Sequence, residues 1–334
     1  MDVPPALSKL TLVDVTPRQQ NALVWPVRAD HADCPTVLGE GVETAAEQAR
    51  NTDLHPCERP SCWGRPYHKR VASLDNVEYG DPEIARSNEI LRSVVGSGVH
   101  GIAIAGTDDH DEMGVYIEPP ALALGLVSRQ NHYIWRTQPE GARSGPGDTD
   151  LVMYSLRKYL QLAIKGNPTV LLPLYAPKTD LIICQPLGQE LRELAPDMLS
   201  QQAAQRFLGY LNSQHKRMLG QDKQSRVPNR PELIERYGWD VKYGSHALRL
   251  AYQGYEITRF GQLSLPLPDA ERQEVLAVKR GEIPQAEVSI RISKLESATV
   301  ALLASGQTPL PEHANLNKVS KWAIDAQRRH WGWK

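Results

Sequence analysis

Long apolar runs are missing from this 334-residue chain. No stretch approaches the ~20 residues needed to span a bilayer, so no membrane-crossing helix is expected. Cysteine is scarce, at four residues, which excludes a disulfide scaffold and makes a reducing cytoplasm the expected setting. The opening MDVPPALSKLTLVDV carries neither the basic segment nor the apolar stretch of a secretory signal. An excess of one charge is also absent. The 38 Lys+Arg face 39 Asp+Glu for a net charge of -1, which argues against a uniformly basic nucleic-acid coat and leaves room for local basic patches. No internal repeat is found. With 41% hydrophobic and 23% charged residues, the composition is that of a soluble globular protein, not a disordered chain, a collagen or a coiled-coil rod. Its length suggests about two domains and supports a sizeable core.

Texture divides the chain. Residues 1–80 are rich in proline, cysteine and histidine, with little periodicity. Residues 81–200 read as a strand-rich α/β unit: ILRSVVGS and HGIAIAGTDDHDEMGVYI are β-branched stretches broken by glycines, hence strands joined by turns. TQPEGARSGPGDT is a loop by composition. DLVMYSLRKYLQLAIKG begins as a strand and changes to helical period, with Leu156, Tyr159, Leu160 and Ala163 on one stripe. TVLLPLYAPKTDLIICQP is a buried helix end plus a strand, or two strands, and its Cys184 reads as an inert core thiol. Residues 201–310 are mainly helical, interrupted by the basic loop GQDKQSRVPNRP, and residues 311–334 form a basic, tryptophan-rich tail.

GSGVHG matches the G-x-G-x-x-G dinucleotide fingerprint at Gly96, Gly98 and Gly101. That motif has meaning only where it opens a helix on a pyrophosphate, and IAIAGTDDHDEMG is not an amphipathic helix. The carboxylates are more informative. Asp109 and Asp111 are two apart in a segment that runs into a strand, so both project from one face. Their repulsion is relieved by a cation or a proton, and hard oxygen ligands favour Mg²⁺ or Mn²⁺. A pair of such ions can stabilise both the attacking and the leaving oxygen of an in-line phosphoryl displacement. Asp150, opening DLVMY, is the best third carboxylate, with Asp148 the second choice. The Gly96–Ser97 turn offers backbone N–H groups and a hydroxyl to phosphates. A solvated acidic turn would explain the D-x-D alone. The ordered set of Gly-Ser turn, D-x-D and strand-borne Asp favours a site.

In DVKYGSHALRLAYQG, Lys242, His246, Arg249 and Gln253 share one helical face. Its cations suit a triphosphate or an acceptor phosphate, and a solvated face with surface ion pairs is the competing explanation. Arg143, Arg157 and Lys158 read as surface cations. His100 and His110 flank the acidic motif, and His110, alternating with the aspartates, should point away from it. At the N-terminal end, Cys34, Cys57, Cys62 and His68 make a candidate structural Zn²⁺ set, against reduced, partly buried cysteines.

Four ordered blocks resemble the nucleotidyltransferases of the DNA polymerase β superfamily, in the RNA-repair-pathway polymerase-β-like branch that also occurs in bacteriophages. They are GSGVHGIAIAGTDDHDEMGVYIEPP, DLVMYSLRKYLQLAIKGNPTVLLPLYAP, RFLGYLNSQHKRMLG and YGWDVKYGSHALRLAYQGYEI. Asp108 stands where that family commonly has serine. The resemblance implies an α/β (α+β) fold, a mixed sheet with flanking helices followed by a helical unit. Residues 81–200 would be the catalytic core and 201–310 a nucleotide- and acceptor-binding unit. It implies transfer of an NMP from an NTP to a hydroxyl acceptor, most simply an RNA end. A protein acceptor or an inactive nucleic-acid-binding module are the alternatives. By position, Asp109, Asp111 and Asp150 would be catalytic and ligate Mg²⁺ or Mn²⁺, while Gly96, Ser97, Lys242, His246 and Arg249 would bind the nucleotide. Lys216, Arg217, Lys223, Arg226 and Arg230, with Arg328, Arg329 and Trp331 of the tail, add local charge and stacking for nucleic acid.

Overall fold

A seven-stranded mixed sheet positions everything that follows. The computed structural model describes residues 70–72, 76–126, 129–221 and 230–334. The candidate zinc ligands Cys34, Cys57, Cys62 and His68 lie outside the described residues, as do Lys223 and Arg226. The strands are β1 (Arg70–Ala72), β2 (Val77–Tyr79), β3 (Glu89–Val94), β4 (His110–Tyr116), β5 (His132–Arg136), β6 (Thr149–Ser155) and β7 (Leu181–Cys184). Their order is β1-β2-β5-β6-β4-β3-β7. Among the described residues the central β4–β6 pair is the one parallel pairing, and the others are antiparallel.

The early helices are α1 (Pro82–Ser87), α2 (Gly96–Val99), α3 (Pro120–Ala123), α4 (Leu156–Ala163), α5 (Leu172–Tyr175), α6 (Pro186–Glu193) and α7 (Ala195–Met198). The helical layer follows as α8 (Gln201–Met218), α9 (Pro231–Tyr237), α10 (Val241–Phe260), α11 (Asp269–Lys279), α12 (Gln285–Ala304) and α13 (Leu316–His330). The mixed sheet with flanking helices is the fold class expected from the sequence. No helix among the described residues is long and apolar enough to cross a membrane.

Alternation sorts the side chains between the two faces of the sheet. On β4, Met113 and Val115 enter the large core shared with the helical layer, while Tyr116 joins a small cluster with Ala85 of α1. On β6, Leu151 and Met153 join that small cluster. Asp111 therefore shares the face of Met113 and Val115, and Asp150 is out of step with Leu151. Both acids are carried toward the helical layer. Ser155 ends β6 and caps α4, accepting from Lys158 N at 3.4 Å. The stripe Leu156, Tyr159, Leu160 and Ala163 is buried as its spacing predicts.

Helix α10 is the spine of the helical layer, packed against α8, α11 and α12. Asp240 caps its start, accepting from Lys242 N at 3.0 Å and Tyr243 N at 3.1 Å, and Gly261 ends it in the left-handed conformation. Gly254 lets α8 approach closely, since a Cβ there would lie 3.1 Å from Phe207 Cβ.

Three expectations change. Residues 102–104 are not a strand. Gly101 and Gly106 turn the chain with positive φ, and Ile102 is buried as a loop residue. Cys184 is an exposed free thiol, because β7 is the sheet's edge and Cys184 falls on its outward alternation. The tail is docked: Arg329 forks onto both oxygens of Glu190 at 2.8 and 2.6 Å, and Trp322 Nε1 donates to the same carboxylate at 3.0 Å. Trp331 Nε1 donates to Glu118 O at 2.9 Å. Arg329 and Trp331 thus anchor α13 rather than standing open to a nucleic acid.

The Arg329 hydrogen bonds hold the Glu190 carboxyl well below its ordinary value. This stabilisation is present above pH about 4.5 and is lost as pH falls toward about 2. Glu190→Gln is expected to cost about 1 kcal/mol at pH 7, a modest figure because the pair is solvent-screened. In denaturant melts the difference from the parent should shrink under acid conditions.

Candidate active site

The parallel β4–β6 ladder pairs Asp111 directly with Asp150. Asp109, one residue before β4, completes a set: one carboxylate oxygen from each of Asp109, Asp111 and Asp150 lies within 4.8 Å of the others, and all three residues are half-buried. Such an all-oxygen set could hold a divalent cation. Burial first, and then the charges of Asp109 and Asp150, push the Asp111 carboxyl up to about 6, with Lys242 and His110 opposing. A carboxylate held so close to its proton is one that gains from a cation.

Gly96 adjoins this set for a steric reason. Val95 N donates to Asp111 O at 2.9 Å, bringing the β3 end alongside the acid. A Cβ on Gly96 would sit 2.0 Å from Asp111 Oδ2, and its φ of +62° also favours glycine. The next residue, Ser97, lines the same cleft, which encloses about 330 Å³.

Opposite the acids stands α10. Lys242, His246 and Arg249 line the cleft, so the sequence-derived stripe is not a solvated face. Among the described residues no carboxylate pairs with Lys242 or Arg249. Arg249 instead donates through Nη1 to His100 Nε2 at 2.7 Å and to Gln253 Oε1 at 3.0 Å, while its Nε is buried without a partner. A guanidinium only donates, so His100 accepts at Nε2 and is neutral. Burial, then Arg249, holds His100 well below its ordinary value. His246 is pushed down to about 3 by burial and by Arg249 and Lys242. Arg249 falls to about 10 through burial and stays cationic at neutral pH. The cleft thus sets two cations lacking carboxylate partners across from three acids. All eight residues expected around the site from the sequence line it: Gly96, Ser97, Asp109, Asp111, Asp150, Lys242, His246 and Arg249. His110 does not; it is exposed, with Nε2 at 3.1 Å from Glu112 Oε1.

Other functional neighbours escaped sequence reasoning. Gln138 Nε2 and Ser144 Oγ donate to Asp150 Oδ1 and Oδ2, each at 2.8 Å, and Arg136 Nε lies 3.7 Å from Oδ1. Asp148, the second-choice acid, instead braces that loop, accepting from Thr137 Oγ1 and Gly145 N at 2.9 Å. Asp108 turns away from the triad to Lys279 of α11, whose Nζ donates to both its oxygens at 2.8 Å and to Ile102 O at 3.0 Å. Composition marked residues 137–149 only as a loop. Its Gln and Ser acquire meaning once β5 and β6 are known to pair across it.

Residues 76–323, which include every cleft residue named here, match the profile of the RNA repair pathway DNA polymerase beta family. The chain belongs to that family. Membership points to polymerase-β-like nucleotidyl transfer and agrees with a divalent-cation site at the acidic triad. No curated protein matches the chain. Among solved structures, it is similar to a nucleotidyltransferase-like protein from Exiguobacterium sibiricum 255-15, 11% identical over 74% of this chain and 76% of that one. The TM-score is 0.25.

Because its folded-state carboxyl is raised, Asp111 favours the fold in acid and withdraws that support as pH rises through about 6. Added Mg²⁺ should therefore raise the melting temperature more at pH 8 than at pH 5. Asp111→Asn should stabilise the metal-free protein at pH 8 by about 1–2 kcal/mol, allowing for screening of a half-buried group. It should also abolish the Mg²⁺ increment. A wild-type melting temperature indifferent to Mg²⁺ at pH 8 would contradict the site.

Proposed function

We propose that the protein is a Mg²⁺- or Mn²⁺-dependent nucleotidyltransferase that moves an NMP from an NTP to the hydroxyl of an RNA end. The observation that carries this reading is the cleft itself, with three convergent carboxylates facing Lys242 and Arg249 across the Gly96–Ser97 turn. An acidic cluster alone would bind a cation, and a basic stripe alone would bind any anion. Together they suit a metal-bound triphosphate. The family's RNA repair description supports RNA as acceptor over a protein side chain.

Asp109, Asp111 and Asp150 would hold the cation. When bound, it would neutralise charge developing on the α-phosphate and favour ionisation of the attacking hydroxyl. Arg249 and Lys242 offer charge-assisted hydrogen bonds to the β- and γ-phosphates, and Ser97 adds its hydroxyl. His100, neutral and buried, holds the Arg249 guanidinium in place. Asp150, oriented by Gln138 and Ser144, stands ready to take the proton of the acceptor hydroxyl. The acceptor oxygen forms the new bond to the α-phosphorus, the bridging bond to the β-phosphate breaks, and pyrophosphate departs with that electron pair.

Incubation with each α-labelled NTP, a divalent cation and RNA tests the reading. Labelled RNA is expected only when all are present. Asp111→Asn should slow transfer by roughly a few hundredfold, the size of losing preorganised charge stabilisation. Arg249→Ala should weaken NTP binding in a folded protein. Wild-type transfer by Asp111→Asn would refute the metal assignment, and label appearing in protein instead of RNA would refute the acceptor.

A further inference from the structure

A row of charged residues runs straight across the central strands. Arg136 at the end of β5 pairs in register with Asp150 of β6, and Asp150 pairs in register with Asp111 of β4. The row continues to the end of β3, where Val95 N bonds Asp111 O and leads into Gly96 and Ser97. The cleft therefore has two cationic flanks, Arg249 beside the Ser97–His100 segment and Arg136 on the far side of Asp150.

Resting on the nucleotidyltransferase reading above, we infer that Arg136 is the acceptor-binding cation of this site. It would grip the phosphodiester next to the attacking hydroxyl and so restrict the acceptor to a nucleic-acid strand end. Phosphoryl transfer places the attacking and leaving oxygens roughly in line on opposite sides of phosphorus. With pyrophosphate leaving toward Ser97 and Arg249, the acceptor enters past Asp150, where Arg136 is the neighbouring charge. Its position is not needed to orient Asp150, because Gln138 and Ser144 each already donate to one of the two carboxylate oxygens at 2.8 Å. The Arg136 Nε–Asp150 Oδ1 separation of 3.7 Å is too long for a hydrogen bond, and the side chain is 45% exposed while lining the cleft. Among the described residues that pair is the sole ionic contact of Arg136. A fork-shaped donor at the acceptor's door fits a phosphodiester. A serine or tyrosine hydroxyl in a protein carries no fixed anion at that place.

The test uses the full chain, Mg²⁺, a labelled NTP and two short RNAs. One is natural and the other carries a neutral methylphosphonate in place of its last internucleotide phosphate. Wild type should lose about tenfold or more in kcat/KM on the neutral linkage, mostly in the acceptor KM, as for a hydrogen bond to a charged group. Arg136→Gln should show that loss already on natural RNA, bind NTP as wild type does, and treat the two RNAs alike. Damage to Asp150 would instead lower kcat on both and leave the preference intact. Equal use of both RNAs by wild type, or a preference that survives in Arg136→Gln, overturns the assignment while leaving the transferase reading in place. Transfer to neither RNA, or only to protein, overturns the RNA-end reading and this inference together.

Discussion

The parallel register of β4 and β6 is the constraint on which the rest depends. By setting Asp111 against Asp150 with Asp109 beside them, it gathers three like charges at a half-buried place. Coulomb repulsion in such a setting is not relieved by water as it would be on the surface. A fold selected only for stability would avoid this arrangement. Here the sheet enforces it, because slipping the register by one residue would carry Met113, Val115 and the other core side chains to the opposite face. The hydrophobic pattern of β4 and β6 thereby holds the acids together against their own repulsion.

The helical layer is tied to the loop that delivers these acids. Leu267 N donates to His100 O at 3.2 Å, at the start of the loop, and Lys279 holds Ile102 and Asp108 at its end. Side-chain exposures of 13% and 11% make Lys279–Asp108 a largely buried pair. Removing one partner of such a pair leaves an uncompensated charge and is costly. The Asp at 108, set just before the two aspartates of the acidic triad, thus serves a different end from its neighbours: it fixes where the D-x-D begins. Arg249, itself held by Gln253 Oε1, reaches the same loop through His100, so the cation wall and the acidic floor share one framework.

Much of this was legible in the sequence because it follows from local periodicity. The i, i+2 rule put Asp109 and Asp111 on one face, strand patterning proposed Asp150, and helical spacing gathered Lys242, His246 and Arg249. What stayed hidden depends on partners far away in the chain. Lys279 lies 171 residues from Asp108 and His100 lies 149 from Arg249, and no periodicity relates them. Gln138 and Ser144 act through a loop whose composition says only that it turns. Cys184 was misjudged because an apolar run does not reveal that its strand is an edge. The tail was misjudged because a basic, aromatic segment looks alike whether it meets a nucleic acid or, as here, Glu190 and the backbone of Glu118.

Charge balance joins the two halves of the cleft. Asp109, Asp111 and Asp150 face Lys242 and Arg249 across the cleft, with Arg136 beside Asp150 on the sheet, while His246 and His100 are held neutral by burial and by the neighbouring Arg249. A cation bound alone would relieve the acids and leave the basic wall more exposed to its own repulsion. A triphosphate bound alone would do the reverse. On the proposed reading, divalent cations and nucleotide bring nearly cancelling charges, so each makes the other's binding more favourable through the same cleft. The neutrality of His246 matters to that balance. As an imidazolium it would add a further cation to a wall that already holds two without carboxylate partners. As a neutral ring it contributes hydrogen-bonding capacity without charge, so the wall keeps two cations facing three acids.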